Sequence, residues 1–463
     1  MESITEIQQA EHRLETVVLH PLAHTSRKWF LWTFLLLLLV IMGVVAYVNQ
    51  LANGLAVTGM RDRVIWGLYI TNFVFFIGIS HAGTLISAIL RTTHAEWRRP
   101  VTRMAELITV VALSIGGMMP IIDLGRPDRI PFLLLYGKIS SPIVWDFISI
   151  ATYFTASLMY LYLPLIPDFA LAVDKMRGIL SPLRLKIYQI LSLGWLALPE
   201  QRRRLNRGIN IMMILIIPIA ISVHTVVSWI FSMTMRAGWN STIFGPYFVV
   251  GAIFSGIAGI ITVMYIFRRL YHLEEYITEK HFRYLSYLLL TLDLIYFYFT
   301  FAEYLTTGYK MEEGENFLLR ELLTGQFALY FWVFVISGLL IPAVIIILPW
   351  TRRIPLLVVG SILVNIGMWL KRFVIVVPSL TLPLMPTDWG VYLPTWVEIA
   401  ISVAAFAGFA LVFTIATKVL PIISVWEMKE GWELELEARS AHPVHATVPL
   451  THLAGETGGI DEH

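Results

Sequence analysis

Four ionisable side chains interrupt long apolar stretches of this chain and could carry proton chemistry. They are His81, Asp123, Asp146 and His224. Imidazole and carboxylate groups accept and release protons readily when their surroundings tune them toward neutral pH. In an apolar environment such groups are energetically costly, so each is a candidate for function. Arg126 follows Asp123 closely along the chain and joins these candidates.

The composition indicates that these residues lie within a lipid bilayer. Hydrophobic residues make up 57% of the chain, charged residues 14%, and the mean hydropathy is +0.71, whereas a soluble domain carries about 25% charged residues. The absence of cysteine excludes disulfides and cysteine-ligated iron–sulfur or zinc sites. The net charge of +2 gives no indication of nucleic-acid binding. We therefore predict an all-α integral membrane protein.

Apolar windows bounded by charges or prolines predict about ten transmembrane helices. Each window is long enough to cross a hydrocarbon core of about 30 Å. The first begins near Phe30 and is followed by no cleavage pattern, so we expect it to remain as an anchor rather than to act as a signal peptide. The predicted spans are 30–49, 64–90, 102–122, 142–164, 209–235, 245–267, 284–306, 326–349, 355–377 and 394–417.

The distribution of basic residues predicts the orientation of the chain. With ten spans both termini lie on one side, and that side holds 24 of the 34 Lys and Arg residues. The positive-inside rule then places both termini in the cytoplasm. We interpret the Arg-rich segment 167–207 as a topology determinant in contact with lipid headgroups. The tail from Glu427 to His463 shows no periodicity, and we expect it to be extended.

The second and sixth spans resemble each other at an offset of 178 residues, with 8 identities in 27 positions. A parallel repeat of this kind predicts two four-helix bundles, spans two to five and spans six to nine, flanked by helices one and ten. Asn72 and His81 face Val250 and Gly259 in the second copy, so we place the chemistry in the first bundle. The predicted segments are 1–29 (cytoplasmic), 30–63 (first helix and outer loop), 64–236 (first bundle), 237–377 (second bundle), 378–417 (outer loop and last helix) and 418–463 (cytoplasmic tail).

Helix geometry predicts that three of the candidates share one depth. Asp123 ends the third span and Asp146 begins the fourth, while His224 lies about 22 Å from the cytoplasmic end of its span. All three therefore lie near the predicted outer face. His81 lies about 25 Å from the outer end of its own span. Because this places His81 and His224 in opposite halves of the membrane, we do not expect them to ligate a haem.

The cluster at the outer face has the chemistry that a quinol requires. A quinol must be hydrogen-bonded through its hydroxyls, and it releases two protons as two electrons depart. Each residue also has a structural interpretation: a salt bridge from Asp123 to Arg126, an N-cap for Asp146, and an internal hydrogen bond for His224. His81 is either a structural hydrogen-bonding residue or part of a proton path.

The second predicted bundle holds further ionisable residues. Asp293, near mid-membrane, and Glu303 are candidates for a proton path together with His81. Ion pairs with Lys371 or Arg372 are the structural alternative for the acids near the outer face. We expect most aromatic residues at the outer helix ends to form an interface belt, and some of them could stack on a quinone ring.

Several segments resemble the NrfD/polysulfide-reductase membrane-subunit family, most closely the ActC subunit of bacterial alternative complex III. They include Gly78-Ile79-Ser80-His81-Ala82-Gly83-Thr84, Asp123-Leu124-Gly125-Arg126-Pro127, Ser141-Pro142-Ile143-Val144-Trp145-Asp146-Phe147 and Ser222-Val223-His224-Thr225-Val226-Val227-Ser228. The resemblance covers about residues 30 to 420. It implies a subunit without a haem, iron–sulfur or metal centre of its own, located in the bacterial plasma membrane, that binds quinol, usually menaquinol.

The resemblance assigns the quinol site to Asp123, Asp146 and His224, with Arg126 beside them, and we add Asn72 and Tyr69 of the second span. It also implies a peripheral iron–sulfur subunit on the outer face, haem c subunits and a second NrfD-like subunit as partners, and a contribution to proton translocation. Three alternatives stay open: a secondary transporter, a structural anchor for redox subunits, and a polysulfide-type reductase in which electrons flow in reverse.

Overall fold

Every regular element in the described part of the protein is a helix. The computed structural model describes residues 2–383 and 390–441, without the side chains of 2–8, 82, 84–86 and 435–441. The α-helices are α1 (Glu2–Ala23), α2 (Arg27–Asn53), α3 (Leu68–Thr92), α4 (Arg99–Asp123), α5 (Ile130–Tyr136), α6 (Pro142–Tyr162), α7 (Leu165–Lys175), α8 (Pro182–Leu191), α9 (Pro199–Ser232), α10 (Phe244–Leu270), α11 (Glu279–Lys310), α12 (Glu313–Leu323), α13 (Ala328–Val335), α14 (Ile341–Ile347), α15 (Ile354–Thr381), α16 (Trp396–Val419) and α17 (Val425–Ala441).

All ten predicted spans coincide with helices. Within the described residues, nine helices are long and apolar enough to cross a membrane; one of them is the α13–α14 unit, Ala328–Ile347. The tenth is α3, which has 25 residues, an apolar portion at Leu68–His81, and a place between α4, α9 and α10. The predicted all-α membrane fold is therefore confirmed.

The ends of the helices follow from local capping chemistry. The Ser26 side chain accepts a hydrogen bond from the Trp29 backbone and begins α2. Thr395 and Glu398 form a reciprocal capping box at the start of α16, which satisfies backbone donors that a first helical turn leaves free. Several other helices, α6 among them, have proline in the first turn, where no backbone donor is needed.

The long helices pack as two rings of four with a flanking pair. In the first ring α3 contacts α4, α4 contacts α6, α6 contacts α9, and α9 returns to α3. In the second ring α10, α11, α14 and α15 contact one another in the same cyclic manner. The rings meet where α3 packs against α10 and α15, while α2 and α16 pair and cover α4. The segment boundaries drawn through the loops stay predictions.

Glycine allows two of the closest helix approaches. A Cβ at Gly83 of α3 would lie 1.7 Å from the Ala105 carbonyl oxygen of α4. A Cβ at Gly367 of α15 would lie 2.4 Å from the Cα of Gly338, which belongs to the π turn Ile336–Leu340 between α13 and α14. Small residues of this kind let membrane helices approach until their backbones touch.

The prediction of an extended tail is wrong for the part that the structure describes. Residues Val425–Ala441 form α17, and residues 442–463 lie outside the described residues. The Glu427 carboxylate is buried and accepts hydrogen bonds from Arg91 at 3.2 Å and Arg98 at 3.0 Å. Burial alone would raise the pKa of Glu427, but the arginines around it lower the pKa overall. These ion pairs hold α17 against the ends of α3 and α4.

The segments predicted as polar ends and a cytoplasmic loop also contain helices. α1 packs on α16 and α17, and Lys429 of α17 lies 2.6 Å from Glu15 and 3.3 Å from Glu11 of α1. The loop 167–207 contains most of α7, all of α8 and the start of α9, which begins ten residues before the predicted span. The face with α1, α8 and α17 is the predicted cytoplasmic face, and the opposite face is the predicted outer face.

Candidate functional site

His81 and His224 touch each other in the core of the first ring. Their ring centroids are 3.8 Å apart at an angle of 61°, and both side chains are buried. The prediction that they lie in opposite halves of the membrane is therefore wrong. His81 lies 13 residues from the outer end of α3 and His224 eight residues from that of α9, and the packing of the two helices brings them together. A shared depth removes the argument used against haem, although two rings in contact leave no space for a porphyrin between them.

His81 is held by backbone groups of two helices. Its Nδ1 lies 3.0 Å from the Ile77 carbonyl oxygen within α3, and its Nε2 lies 2.5 Å from the Ala220 carbonyl oxygen of α9. A neutral imidazole has one N–H and can donate to only one of them. The Tyr153 ring of α6 packs against the same imidazole, with centroids 4.9 Å apart. These contacts favour the structural interpretation of His81, while the predicted proton-path role stays a prediction.

His224 has the opposite character. Neither of its ring nitrogens has a hydrogen-bond partner among the described residues, although the side chain is 1% exposed. The alternative of an internally hydrogen-bonded histidine is therefore not observed. A buried polar atom without a partner costs about 1–3 kcal/mol, which a water or a ligand hydroxyl can recover. The Arg372 guanidinium of α15 is close enough to interact electrostatically with this imidazole.

Asp146 lies in the second turn of α6 and is not an N-cap. The helix begins at Pro142, and Ser141 occupies the N-cap position. The Asp146 side chain is buried, and its Oδ1 has no hydrogen-bond partner among the described residues. Asp146 precedes Tyr153 by two helical turns, about 10 Å along the axis. Its carboxylate therefore lies between the histidine pair and the predicted outer face.

Asp123 belongs to a different group of side chains. It ends α4 and has a buried Oδ1 without a partner among the described residues. Tyr69 and Glu398 are close enough to interact with it electrostatically. The Tyr69 hydroxyl donates to Gln50 Oε1 at 2.6 Å, and Gln50 Nε2 donates to the Ile122 carbonyl oxygen at 2.9 Å. In the described part of the chain, no hydrogen bond joins Asp123 to Asp146.

Arg126 does not pair with Asp123. Its guanidinium donates two hydrogen bonds to Asp128, at 3.0 and 2.9 Å, in an exposed loop. The hydrogen bonds from Arg126 lower the pKa of Asp128. The predicted salt bridge from Asp123 to Arg126 is therefore wrong, and the arginine points away from the core of the first ring.

Asn72 is fully used by the protein. Its Nδ2 donates to Ser402 Oγ of α16 at 2.8 Å, and its Oδ1 accepts from Trp369 Nε1 of α15 at 2.8 Å. The amide joins three helices, so the polar difference between the two repeat copies at this position has a structural explanation.

The acids of the second ring do not form the predicted ion pairs. Glu303 accepts a hydrogen bond from Ser241 at 2.7 Å, and both carboxylate oxygens of Asp293 lack partners among the described residues. Lys371 donates to the Tyr304 hydroxyl at 2.8 Å. A cavity of about 30 Å³ beside Lys371, Glu303 and Tyr304 has room for water but not for a quinone ring.

Glu106 is a buried acid that the sequence analysis missed. One of its oxygens accepts a hydrogen bond from Ser87, which also lies 3.2 Å from the Tyr160 hydroxyl. Its other oxygen has no partner among the described residues. The signal was present, because Glu106 lies inside the predicted third span, where any carboxylate is unusual.

The order of these residues along ten helices agrees with a comparison with known families. Residues 56–383 match the model of a family described as "Polysulphide reductase, NrfD". The chain belongs to the NrfD family. The matched region contains nearly all of both helix rings and every candidate residue discussed above except Glu398 and Ser402.

Relatives of known name in this family align over most of their length. A Halobacterium salinarum protein with a provisional name, as a membrane subunit of a dimethyl sulfoxide reductase, is 27% identical over 415 residues, 84% of this chain and 91% of the relative. The menaquinone reductase integral membrane subunit of Nitratidesulfovibrio vulgaris is 24% identical over 85% of this chain and 92% of its own. The Hdr-like menaquinol oxidoreductase integral membrane subunit of Archaeoglobus fulgidus is 22% identical over 77% and 81%.

Proposed function

We propose that this NrfD-family chain is the quinol-binding and quinol-oxidising membrane subunit of a multi-subunit redox complex, with menaquinol as the substrate. The observation that carries the proposal is the pair Asp146 and His224: two buried groups able to accept protons, on adjacent helices of the first ring, with carboxylate and imidazole atoms that have no partner among the described residues. The names of two relatives, a menaquinone reductase subunit and a menaquinol oxidoreductase subunit, support this substrate class.

The chemistry divides the quinol between these two groups. The quinol loses two protons and two electrons and becomes a quinone. Asp146 accepts the proton of one hydroxyl and His224 that of the other, each within hydrogen-bond reach of the headgroup. Asp123, with Tyr69 nearby, lies on the side of the predicted outer face, where the protons leave; Arg126 stays a predicted member of that exit.

The two electrons go to a peripheral iron–sulfur subunit on the predicted outer face and then to haem c subunits. In its finer form the proposal assigns the chain to an alternative complex III, together with a second NrfD-like subunit, in a bacterial plasma membrane with both termini in the cytoplasm. The motifs named above and the distribution of basic residues support this assignment.

Substitution of the two site residues in the intact complex tests the proposal. Asp146→Asn and His224→Gln should each lower quinol:acceptor turnover about 100-fold or more, because each removes a proton acceptor, while the complex still assembles. Asp128→Asn makes the same chemical change at an exposed position and should leave turnover unchanged. Unchanged turnover in both site variants would refute the site.

The same variants distinguish the direction of electron flow. In a polysulfide-type reductase the site would reduce quinone with electrons from an external donor, and the two relatives named after menaquinone and menaquinol cover both directions. Initial rates should therefore be measured with quinol plus oxidised acceptor and with quinone plus reduced donor. A faster second reaction would replace quinol oxidation by quinone reduction at the same site.

A secondary transporter is disfavoured by the helices of the repeat. That alternative requires broken helices at both copies. The two copies are α3 and α10, and each is one unbroken helix of 25 or 27 residues.

We further propose that His81, Asp293 and Glu303 contribute to proton translocation. Asp293 supports this, because its two buried oxygens have no partner among the described residues. In proteoliposomes that contain the complex, Asp293→Asn should lower the number of protons moved per electron while quinol oxidation continues in the presence of an uncoupler. An unchanged ratio would remove Asp293 from the path.

A further inference from the structure

A short helix at the predicted cytoplasmic face presents apolar side chains outward. We call residues 176–198, which include α8, the interfacial segment. Leu183 is 71% exposed, Ile190 64% and Leu196 73%. An isolated exposed leucine needs no explanation, but several on one short segment form a patch that must contact lipid or protein.

The attachments of α8 fix its depth. The Tyr188 hydroxyl donates to the carbonyl oxygen of Val419, the last residue of α16, at 2.7 Å. The hydroxyl of Tyr162, the last residue of α6, donates to the Leu191 carbonyl oxygen at 2.8 Å. Arg184 donates to the carbonyl oxygen of Leu22, just before α2 begins, at 2.8 Å. Because α8 is fixed where three spanning helices begin or end, its outward face lies at the boundary between lipid tails and headgroups.

The charge around this segment suits an anionic surface. Residues 167–207 contain eight Lys and Arg residues against three Asp and Glu residues. Arg177 and Arg203 are exposed, and neither forms an ion pair within the described residues. An amphipathic helix with basic residues beside its apolar face is the usual form of a segment that lies in a membrane interface.

A cavity beside α8 is large enough for a lipid headgroup. It has a volume of about 490 Å³ and is lined by Arg177, Arg202 and Lys429 together with the rings of Trp195 and Trp426.

Two carboxylates also line this cavity, Asp168 and Asp174. The Asp168 carboxylate is already bound by Arg103 at 2.9 Å and by the Trp426 backbone N–H at 3.0 Å. Lys429 pairs with Glu11 and Glu15, and Arg202 lies 3.4 Å from Glu433 at the surface. Arg177 is the cation in this wall that forms no ion pair within the described residues.

We propose that the interfacial segment is embedded in one leaflet and that the adjoining cavity binds the phosphate headgroup of an anionic lipid. Leu183 and Ile190 would insert among the acyl chains, and Arg177 with Arg202 would contact the phosphate. Lipid is favoured over a protein partner because α8 is level with the helix ends and continuous with the lipid-facing surface of α6 and α16. The proposal is independent of the quinol site.

Native mass spectrometry of the detergent-solubilised full chain tests the cavity. Phosphatidylglycerol should be retained in preference to phosphatidylcholine. Each basic residue near a membrane surface contributes about fivefold in affinity for anionic lipid, so Arg177→Gln with Arg202→Gln should weaken retention about 25-fold. The control pair, Arg203→Gln with Arg204→Gln, lies outside the cavity lining and should change retention less than the first pair. Equal retention of the two lipids by the wild-type chain, or no effect of the first pair, would overturn the cavity assignment.

A second experiment tests the depth and separates lipid from protein as the partner. Because the chain contains no cysteine, Leu183→Cys, Ile190→Cys and Arg203→Cys can each carry one fluorophore in the complete complex reconstituted in vesicles. Lipids brominated in the acyl chain should quench the first two labels strongly and the third weakly. Quenching of all three to the same weak degree would show that water or another protein covers α8, and the proposal would fail.

Discussion

His81 and His224 are in contact, yet the protein satisfies them differently. His81 lies between two backbone carbonyl oxygens and links α3 to α9, whereas His224 has no partner among the described residues. Functional side chains are commonly those that a fold leaves unsatisfied, because the interactions they lack are made with substrate. The two imidazoles should therefore contribute oppositely to stability and activity.

This contrast can be measured with one substitution at each position. His81→Leu should lower the free energy of unfolding by about 1–3 kcal/mol, because it leaves the buried Ala220 carbonyl oxygen unpaired. His224→Leu removes two unpaired nitrogens and should leave stability unchanged or increased, while activity is lost. Thermal unfolding of the purified chain gives the comparison. Equal destabilisation by both changes would contradict the assignment of the partners.

Glu427 makes a pH-dependent contribution at the predicted cytoplasmic face. Because its arginine neighbours lower its pKa below 4.5 in the folded chain, its contribution is complete above the unfolded value and is lost as the pH falls through the lowered one. Glu427→Gln leaves buried arginines without a counter-ion and should cost about 3–5 kcal/mol at pH 7. The difference in melting temperature from wild type should shrink as the pH is lowered below 4.5.

Glu433→Gln is the matched control for that experiment. Glu433 is half exposed and pairs with Arg202 at 3.4 Å, and a pair of this kind contributes at most about 1 kcal/mol. A loss of stability as large as that of Glu427→Gln would show that the burial of Glu427 is not the source of the effect.

At the scale of helices, the contact between the π turn and α15 depends on two glycines. Gly367→Ala places a methyl group against the backbone of Gly338 and should cost about 1–3 kcal/mol through overpacking. Gly117→Ala on α4 meets nothing within 4 Å and should be neutral. The yield of folded protein and its melting temperature report both effects. A neutral Gly367→Ala would mean that α13, α14 and α15 separate readily.

The sequence predicted the helices that hydropathy controls and missed those that long-range pairing controls. All ten spans were found, because an apolar run must cross the membrane as a helix to satisfy its backbone. α17 was missed, because its attachment depends on Glu427 meeting Arg91 and Arg98 more than 300 residues earlier in the chain. A polar segment without periodicity gives no sign of such pairs.

The residues of the site were easier to predict than their distances. His81, Asp123, Asp146 and His224 are all buried or nearly so, as the cost of charge in lipid requires. The contact between His81 and His224 was not predicted, because counting rise from a helix end assumes that neighbouring helices begin at one level, whereas α9 begins ten residues earlier than its apolar window. Arg126 was misplaced because a nearer acid, Asp128, binds it.

At the scale of the molecule, a polar seam joins the two rings. The Arg372 guanidinium of α15 donates to the Tyr296 hydroxyl of α11 at 3.3 Å, and its Nη2 would lie 3.5 Å from a Cβ at Gly78 of α3. The same cation interacts with His224. The first ring therefore holds the proposed substrate groups, and the second ring supplies a charge beside them.

The orientation of the whole chain can be tested through its lack of cysteine. Ser140→Cys and Tyr309→Cys, at the predicted outer face, should react with a membrane-impermeant maleimide in intact cells. Arg203→Cys, at the predicted cytoplasmic face, should react only after permeabilisation. The unmodified chain contains no cysteine and gives the background. Labelling in the reverse order would invert the topology and move the quinol site to the cytoplasmic side.

The contact between α1 and α17 sets an order of events during synthesis. α1 leaves the ribosome before any spanning helix, and its buried residues Leu14, Val18 and Leu22 have their partners on helices made hundreds of residues later. Until α17 emerges and Lys429 reaches Glu15, the first helix offers an uncovered apolar stripe to proteases and chaperones. Closure of the two ends thus marks a finished chain, and a truncated product stays open to degradation.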